Sequence, residues 1–224
     1  MEFDRYADDY RSEVDRAAGV SVEGLAGEKA RLILDVLSGV LGSPDRLRVL
    51  DIGCGIGLVE QELEQKVADL WATDMSEKSV EIAKTRAPAT RFIHSGGDTL
   101  PFDSGSFDAA FTICVIHHVP PAARAKFIGE MLRVLRPGGV AIIFEHNPLN
   151  PMTQFIVSRC AFDEDAILLR CRESERLLTE GGATVAGRRY VGFSPIRHAV
   201  VERMERSLGW LPAGAQYCVW GTKA

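Results

Sequence analysis

The chain has 224 residues, which suits one domain with a small cap. Hydrophobic residues make up 46% and charged residues 25%, a composition that argues against a disordered chain. The net charge of −5 argues against a nucleic-acid partner, because contact with phosphates requires a basic face, and no apolar run reaches the ~20 residues of a membrane span.

The cysteines give no sign of a disulfide or zinc framework. There are five, an odd number without a CxxC pair, so we expect reduced thiols and no metal site. The first residues are acidic and lack the apolar core of a signal peptide. These features together predict a cytoplasmic protein.

Residues 1–47 are predicted to form a helical segment ahead of the first strand. Apolar residues recur at helical spacing over residues 27–41. Tyr6 and Tyr10 lie near the start of this segment. Aromatic side chains serve both as packing anchors and as ligand contacts, so either role is open for these two.

Residues 49–57 read Val-Leu-Asp-Ile-Gly-Cys-Gly-Ile-Gly, and good helix formers follow. The pattern predicts a strand, a tight turn and a helix whose first N–H groups face a ligand. A dinucleotide fingerprint would need glycine where Leu58 stands, and the Gly-Lys-Ser/Thr of a phosphate loop is absent. A tight turn without a ligand remains the alternative.

The second predicted strand, 68–73, ends at Asp74, 17 residues after Gly57 and so near the ~20-residue spacing of an acid that follows a nucleotide-binding turn. An acid at this place can accept hydrogen bonds from both ribose hydroxyls of an adenosine ligand. Met75 would then lie against the adenine, and Ser76 would cap a helix over 77–86. The alternative is an ordinary turn residue.

A third strand is predicted at 90–94 and a strongly apolar fourth strand at 108–115, as expected for a central strand buried on both faces. His117 and His118 follow at the carboxyl end of the fourth strand, where ligands bind in doubly wound folds. Either histidine could be a general base. The alternative is a polar turn in which the imidazoles bond to the backbone.

A helix over 122–135 and a Leu-Arg-Pro-Gly-Gly turn precede a fifth strand at 140–144. Glu145, His146 and Asn147 follow it, before a proline, and we expect them to shape a substrate pocket; a capped turn is the alternative. A sixth strand is predicted at 184–193 and a seventh at 216–222. Residues 146–170 and 194–214 are expected to be cap insertions, and the second could instead form a homodimer face. Within the first, the acidic run at 162–166 is expected to cap a short solvated helix, with contact to a cationic substrate group as the alternative.

Four features in order resemble class I S-adenosylmethionine-dependent methyltransferases of the small-molecule ubiquinone/menaquinone type, the type 11 branch. They are the Asp-x-Gly-x-Gly-x-Gly turn, Asp74, Leu-Pro-Phe with the following Gly-Ser-Phe-Asp, and Leu-Arg-Pro-Gly-Gly. The resemblance covers about residues 48–145. It implies a single α/β domain over 1–224, a Rossmann-like three-layer sandwich with a mostly parallel seven-stranded sheet and an antiparallel last strand.

The resemblance implies S-adenosylmethionine as cofactor and S-adenosylhomocysteine as product. Asp51 and the carbonyls of Ile113 and Cys114 would face the cofactor's ammonium group. The amides of residues 53–57 would hold the cofactor's carboxylate. The residues implied around the cofactor, this turn included, are Gly53, Cys54, Gly55, Gly57, Asp74, Met75, Gly97 and Asp98. The chain departs from the family at the last of these: counted without a gap, the usual acid falls on Gly96. The adenine contact of Asp98 therefore stays open.

The implied reaction is methyl transfer to an oxygen, nitrogen or carbon of a small molecule. An oxygen acceptor would need a base, for which His118 and His146 are the candidates. The residues that could contact the substrate are Tyr6, Tyr10, His117, Glu145 and Asn147. Two alternatives remain: a methyltransferase-like domain that binds cofactor or a partner without catalysis, and a less favoured NAD(P)-dependent oxidoreductase.

Overall fold

The structure is a computed structural model that describes residues 22–96, 99–194 and 207–224. The expectations for Tyr6, Tyr10, Gly97 and Asp98 lie outside the described residues, as does most of the predicted 194–214 insertion. Within the described ranges, no helix combines the length and apolar character needed to cross a membrane.

The described residues build one seven-stranded sheet with the order β3-β2-β1-β4-β5-β7-β6. The strands β1 to β5 pair in parallel, whereas β7 lies between β5 and β6 and is antiparallel to both. This confirms the predicted mostly parallel sheet with an antiparallel last strand. The strands are β1 Arg48–Ile52, β2 Asp69–Asp74, β3 Arg91–His94, β4 Phe107–Ile113, β5 Leu135–His146, β6 Ala183–Val191 and β7 Gln216–Lys223.

Helices cover both faces of the sheet, which gives the predicted three layers. They are α1 Val22–Val40, α2 Leu58–Leu63, α3 Glu77–Arg86, α4 Pro121–Val134, α5 Pro151–Val157 and α6 Cys171–Glu180. On one face, Ile33 of α1 and Leu63 of α2 pack in a core with Val49 of β1 and Ile142 of β5. On the other, Met131 of α4 and Leu178 of α6 pack in a second core. Burial of apolar surface on both faces explains why the central strands are apolar throughout.

The sequence predicted a turn at the Leu-Arg-Pro-Gly-Gly segment. In the structure this segment is the first part of β5. Its pairing with β4 shifts between Phe107 and Ala109, so the ladder is irregular here. A Cβ on Gly139 would lie 2.9 Å from the carbonyl oxygen of Asp108. The glycine therefore permits two strands to approach closely at the irregularity.

Residues 146–170, predicted as an irregular cap, contain α5 and a 3₁₀ turn at Ala161–Asp163. The side chain of Asn150 caps α5 by accepting from the amides of Met152 and Thr153. The acidic run that begins at Asp163 was expected to start a short helix, and Asp163 instead ends the 3₁₀ turn with a buried side chain. This brings the segment back against the carboxyl end of the sheet.

Candidate active site

The glycine turn connects β1 to α2, and its three glycines have positive φ values. A Cβ on Gly53 would lie 2.4 Å from Val115 Cγ2, and one on Gly57 would lie 2.9 Å from the backbone of Ala83. Gly55 has φ +53, but a Cβ there would meet open space. The first and third glycines are therefore required by packing within the protein, whereas the space beside Gly55 is open to a ligand.

Four amides of the turn already have acceptors in the protein. The amides of Gly53 and Cys54 both donate to the Thr73 carbonyl at 2.7 and 3.0 Å, and the Gly57 amide donates to Cys54 O at 3.2 Å. The Gly55 amide donates to Asp74 Oδ2 at 2.8 Å. These bonds fix the shape of the turn. The role predicted for the turn amides, holding the cofactor's carboxylate, stays a prediction.

Asp74 ends β2 beside this turn. Its Oδ2 accepts from Gly55 and its Oδ1 accepts from the Ser76 amide at 2.8 Å. A carboxylate has about four lone-pair positions, so about two remain for ribose hydroxyls. Burial raises the pKa of Asp74 despite the two backbone donors. Met75 beside it is 44% exposed, so its side chain is available to lie against a flat ring.

Asp51 and Glu60 form a buried acidic pair under the turn. Their side chains are 2% and 0% exposed. Asp51 Oδ1 and both Glu60 carboxyl oxygens have no donor among the described residues. Burial raises the pKa of both, and the negative charge of Glu60 raises that of Asp51 further. A proton shared between the two carboxyls, or a cationic ligand, would satisfy these atoms.

The acidic pair also acts on Cys54 in the middle of the turn. Burial raises the pKa of its thiol, and the negative charges of Glu60, Asp51 and Asp74 raise it further. Three carboxyl groups thus surround one end of the turn. Such a field favours a positively charged ligand, as S-adenosylmethionine is at both its ammonium and sulfonium groups. The residues present therefore fit this cofactor.

Cys114, at the carboxyl end of β4, has the left-handed φ of +56, which no other non-glycine residue shares within the described part of the chain. This conformation costs about 1–2 kcal/mol for a residue with a Cβ. The Cys114 amide donates to Phe144 O at 2.9 Å, and its thiol accepts from Gln216 Nε2 at 3.2 Å. Local strain of this kind clusters at functional sites, and no sequence pattern announced it.

His117 is held between two carboxylates. Its ring is 1% exposed; Nδ1 lies 2.6 Å from Glu145 Oε2 and Nε2 lies 3.3 Å from Asp163 Oδ1. The other Glu145 oxygen accepts from the Ile116 amide at 2.6 Å. Burial opposes the charged form, but Glu145 and Asp163 raise the pKa of His117 to about 10. The ring is therefore a donor at neutral pH and not a base.

His118 and His146 stand beside His117, with ring centroids 4.1 and 5.2 Å from its ring. Burial and the positive charge of His117 lower the pKa of each to about 4. Both are therefore neutral at pH 7. His118 Nε2 lies 3.5 Å from Asp163 Oδ1, whereas His146 Nδ1 lies 3.4 Å from the side-chain amide of Gln216.

The structure brings together the predicted residues His117, His118, Glu145 and His146, and adds Asp163 to them. Asp163 was not among the predicted site residues, because its acidic run is typical of a solvated helix start. Asn147, the remaining predicted member, is buried and donates to the carbonyls of Pro212 and Gly214 at 3.2 and 2.8 Å. Its amide thus positions the chain ahead of β7, and a contact with substrate stays a prediction.

Comparison with known proteins agrees with this geometry. Residues 50–143 match the family model described as a methyltransferase domain. This match supports a methyltransferase of the class I, type 11 kind that uses S-adenosylmethionine. The matched region runs from β1 into β5 and includes the glycine turn, Asp74 and the His117–His118 turn.

Two similar proteins are named demethylmenaquinone methyltransferase. The one from Beutenbergia cavernae is 36% identical over 105 residues, covering 47% of this chain and 43% of that protein. The one from Renibacterium salmoninarum is 31% identical over 146 residues, covering 64% and 59%. The chain thus spans about half the length of these relatives. A methyltransferase structure from Thermotoga maritima shares the fold, with a TM-score of 0.72, 19% identity and coverage of 99% and 98%.

Proposed function

We propose that this chain transfers a methyl group from S-adenosylmethionine to a small organic acceptor. The observation that carries the proposal is the set of buried carboxyl oxygens without donors on Asp51 and Glu60, placed under the glycine turn. A cationic group of a ligand would satisfy these acceptors, as a shared proton does in its absence, and the ionised pair would repel the phosphates of a dinucleotide.

Three parts of the chain would hold the cofactor. Asp51 and Glu60 would accept from its ammonium group, and Asp74 would accept from the ribose hydroxyls. The carbonyls of Ile113 and Cys114 would lie near the amino-acid end, as expected from the sequence. When bound, the cofactor supplies an electrophilic methyl carbon on a sulfonium, so the protein's own contribution is to align the acceptor and exclude water.

His146 is the base that the geometry favours for an oxygen acceptor. It is neutral at pH 7 because burial and His117 lower its pKa to about 4. Its Nδ1 lies 3.4 Å from Gln216 Nε2, which is a donor, so in the neutral ring Nδ1 carries the lone pair and Nε2 the hydrogen. The ring would take the hydroxyl proton at this lone pair as the methyl–oxygen bond forms. His118 is the alternative base, but its Nε2 is directed at Asp163.

The relatives named demethylmenaquinone methyltransferase support a small organic acceptor over a macromolecule. The net charge of −5 supports the same choice, because a nucleic-acid substrate would require a basic face. A nitrogen or activated carbon acceptor would need little beyond positioning, so the base is required only for hydroxyl substrates.

The experiment is a transfer assay with methyl-labelled S-adenosylmethionine and the small-molecule fraction of a bacterial extract. The proposal expects label in an extractable small molecule, and expects His146→Asn to reduce transfer to a hydroxyl acceptor by about 10²-fold or more while leaving cofactor affinity unchanged. Cofactor binding with no labelled product would favour the alternative of a domain that binds the cofactor without catalysis.

A further inference from the structure

Three potential metal ligands converge beside the sheet edge: His117 Nε2, His118 Nε2 and Asp163 Oδ1. The Asp163 oxygen lies 3.3 Å from the His117 atom and 3.5 Å from the His118 atom. All three atoms lie within 4.8 Å of one another. The pattern of the cysteines had indicated no metal site, whereas the potential ligands here are two histidines and an aspartate.

We propose that His117, His118 and Asp163 bind one divalent transition-metal ion of the zinc class. Zinc binds histidine nitrogen and carboxylate oxygen at about 2.0–2.2 Å in tetrahedral geometry, which places neighbouring ligand atoms about 3.3–3.5 Å apart. The two distances to Asp163 already have this length. Two imidazoles with one carboxylate suit zinc, cobalt or ferrous iron, and not the hard ions magnesium and calcium.

Glu145 supplies the outer partner that such a site needs. Its Oε2 lies 2.6 Å from His117 Nδ1, so Nδ1 carries the hydrogen and Nε2 is turned toward Asp163. The Ile116 amide fixes the other oxygen of Glu145 at 2.6 Å. Metal-binding histidines commonly donate their second nitrogen to a carboxylate in this way, which sets the tautomer and the direction of the ring.

The ligands come from two turns that the backbone already holds together. His117 and His118 belong to the 3₁₀ turn Ile116–His118 after β4, and Asp163 belongs to the turn Ala161–Asp163. The amide of Ile167, which lies just after the second turn, donates to His117 O of the first turn at 2.9 Å. Little rearrangement is therefore needed to bring the ligand atoms around an ion.

The site would keep one position open. His117 and Asp163 are buried, but the His118 side chain is 21% exposed, so solvent reaches the cluster from its side. Three protein ligands with one open position are typical of zinc sites that take a water or substrate atom. With His118 bound to the ion, His146 remains the base for an oxygen acceptor.

The competing arrangement is a salt bridge without metal, in which a proton on His117 Nε2 occupies the place of the ion. The two arrangements exclude each other because they use the same lone pair. The salt bridge joins His117 to Asp163 alone, whereas binding of the ion needs the side chains of both His118 and Asp163.

The test measures metal binding by the full-length chain, stripped with a chelator and then titrated with Zn²⁺ or Co²⁺. Stoichiometry is measured by elemental analysis after gel filtration, and the Co²⁺ coordination geometry is measured by visible absorption. Asp163→Asn and His118→Asn are the variants. Glu164→Gln, an exposed acid beside Asp163, is the matched control.

The wild type and Glu164→Gln are expected to bind one ion per chain with a tetrahedral Co²⁺ spectrum. Each ligand variant is expected to bind about 10-fold or more weakly. If Asp163→Asn does not fold, His118→Asn decides alone. Absence of binding by the wild type, or equal binding by His118→Asn, would overturn the inference. S-adenosylhomocysteine binding is measured on the same samples, so failure of the metal site is distinguishable from failure of the proposed methyl transfer.

Discussion

Asp74 and Gly55 are joined across the turn by a hydrogen bond, with Asp74 Oδ2 accepting from the Gly55 amide at 2.8 Å. The bond exists because β1 and β2 are parallel neighbours, so their carboxyl ends meet at one edge of the sheet. Asp74 therefore has two roles, since it shapes the glycine turn and presents its remaining lone pairs beside the open space at Gly55.

Replacing Asp74 by alanine should weaken binding of S-adenosylhomocysteine by about 1–3 kcal/mol, because the ribose hydroxyls and the Gly55 amide lose their acceptor. Calorimetric titration measures the change. Asp69→Asn is the matched control, because Asp69 begins the strand that Asp74 ends and so lies far from the glycine turn, paired with Arg48 at 3.1 Å. The ribose assignment is wrong if Asp74→Ala binds like the wild type.

The glycines of the turn should separate stability from binding. Gly57→Ala forces a Cβ to 2.9 Å from Ala83 at φ +78, so we expect the free energy of unfolding to fall by more than about 1 kcal/mol. Gly55→Ala meets open space, so it should lose only the about 1–2 kcal/mol that its left-handed φ costs, less than Gly57→Ala, and it should weaken cofactor binding as well. Urea denaturation and calorimetry of both variants check this. Equal loss of affinity without loss of stability in Gly57→Ala would contradict it.

The buried pair Asp51–Glu60 should make the protein less stable as pH rises. Burial raises the pKa of both groups in the folded state, whereas in the unfolded chain they titrate near about 4. The folded chain binds protons more tightly than the unfolded chain. The contribution of the pair to the free energy of unfolding is therefore complete below the pKa values of the unfolded chain. It is lost as the pH rises from there through the folded-state values.

Glu60→Gln removes one of the two charges and should therefore flatten this decline between about pH 5 and about pH 8. Urea denaturation at both values measures it. Glu62→Gln, an exposed acid on the same helix, is the control and should leave the slope unchanged. The same slope in Glu60→Gln and the wild type would show that the pair does not titrate as a buried unit.

Arg124 should be a large contributor to the stability of the cap. Its guanidinium is 2% exposed and donates to the carbonyls of Val119 and Ile167 and, at 2.7 Å, to Glu173. Arg124→Met removes the donor to two part-buried carbonyls and to Glu173, which should lower the free energy of unfolding by about 1–3 kcal/mol. Arg176→Met, at an exposed ion pair with Glu180, should change it by less than about 1 kcal/mol. Similar losses in both would contradict this role for Arg124.

The parts of the fold that local chemistry dictates were predictable. The glycine turn, the acid at Asp74 and the strands follow from backbone permissiveness and apolar runs, and the structure confirms the sheet that they imply. The start of β5 was misplaced, because Gly138 and Gly139 suggested a turn where the structure has an irregular strand pair. Two glycines signal close approach or reversal equally well.

The candidate site was predictable only in part, because its members meet through tertiary contacts. Asp163 is distant in sequence from His118 and was read as a solvated acid. Glu60 stands in a run of polar helix formers that gives no sign of burial, and only packing shows that it is buried. The left-handed conformation of Cys114 has no local sequence signature, because a cysteine adopts it only when the surrounding structure imposes it.

Calorimetric titration of the purified chain with S-adenosylhomocysteine, with NADH in a parallel titration, tests most directly whether the glycine turn and the acidic pair bind the adenosyl amino acid of a methyl-transfer cofactor and not a dinucleotide. The account predicts saturable binding of S-adenosylhomocysteine at one site per chain, weakened by Asp74→Ala, and no binding of NADH. Tight binding of NADH with no response to S-adenosylhomocysteine would contradict it.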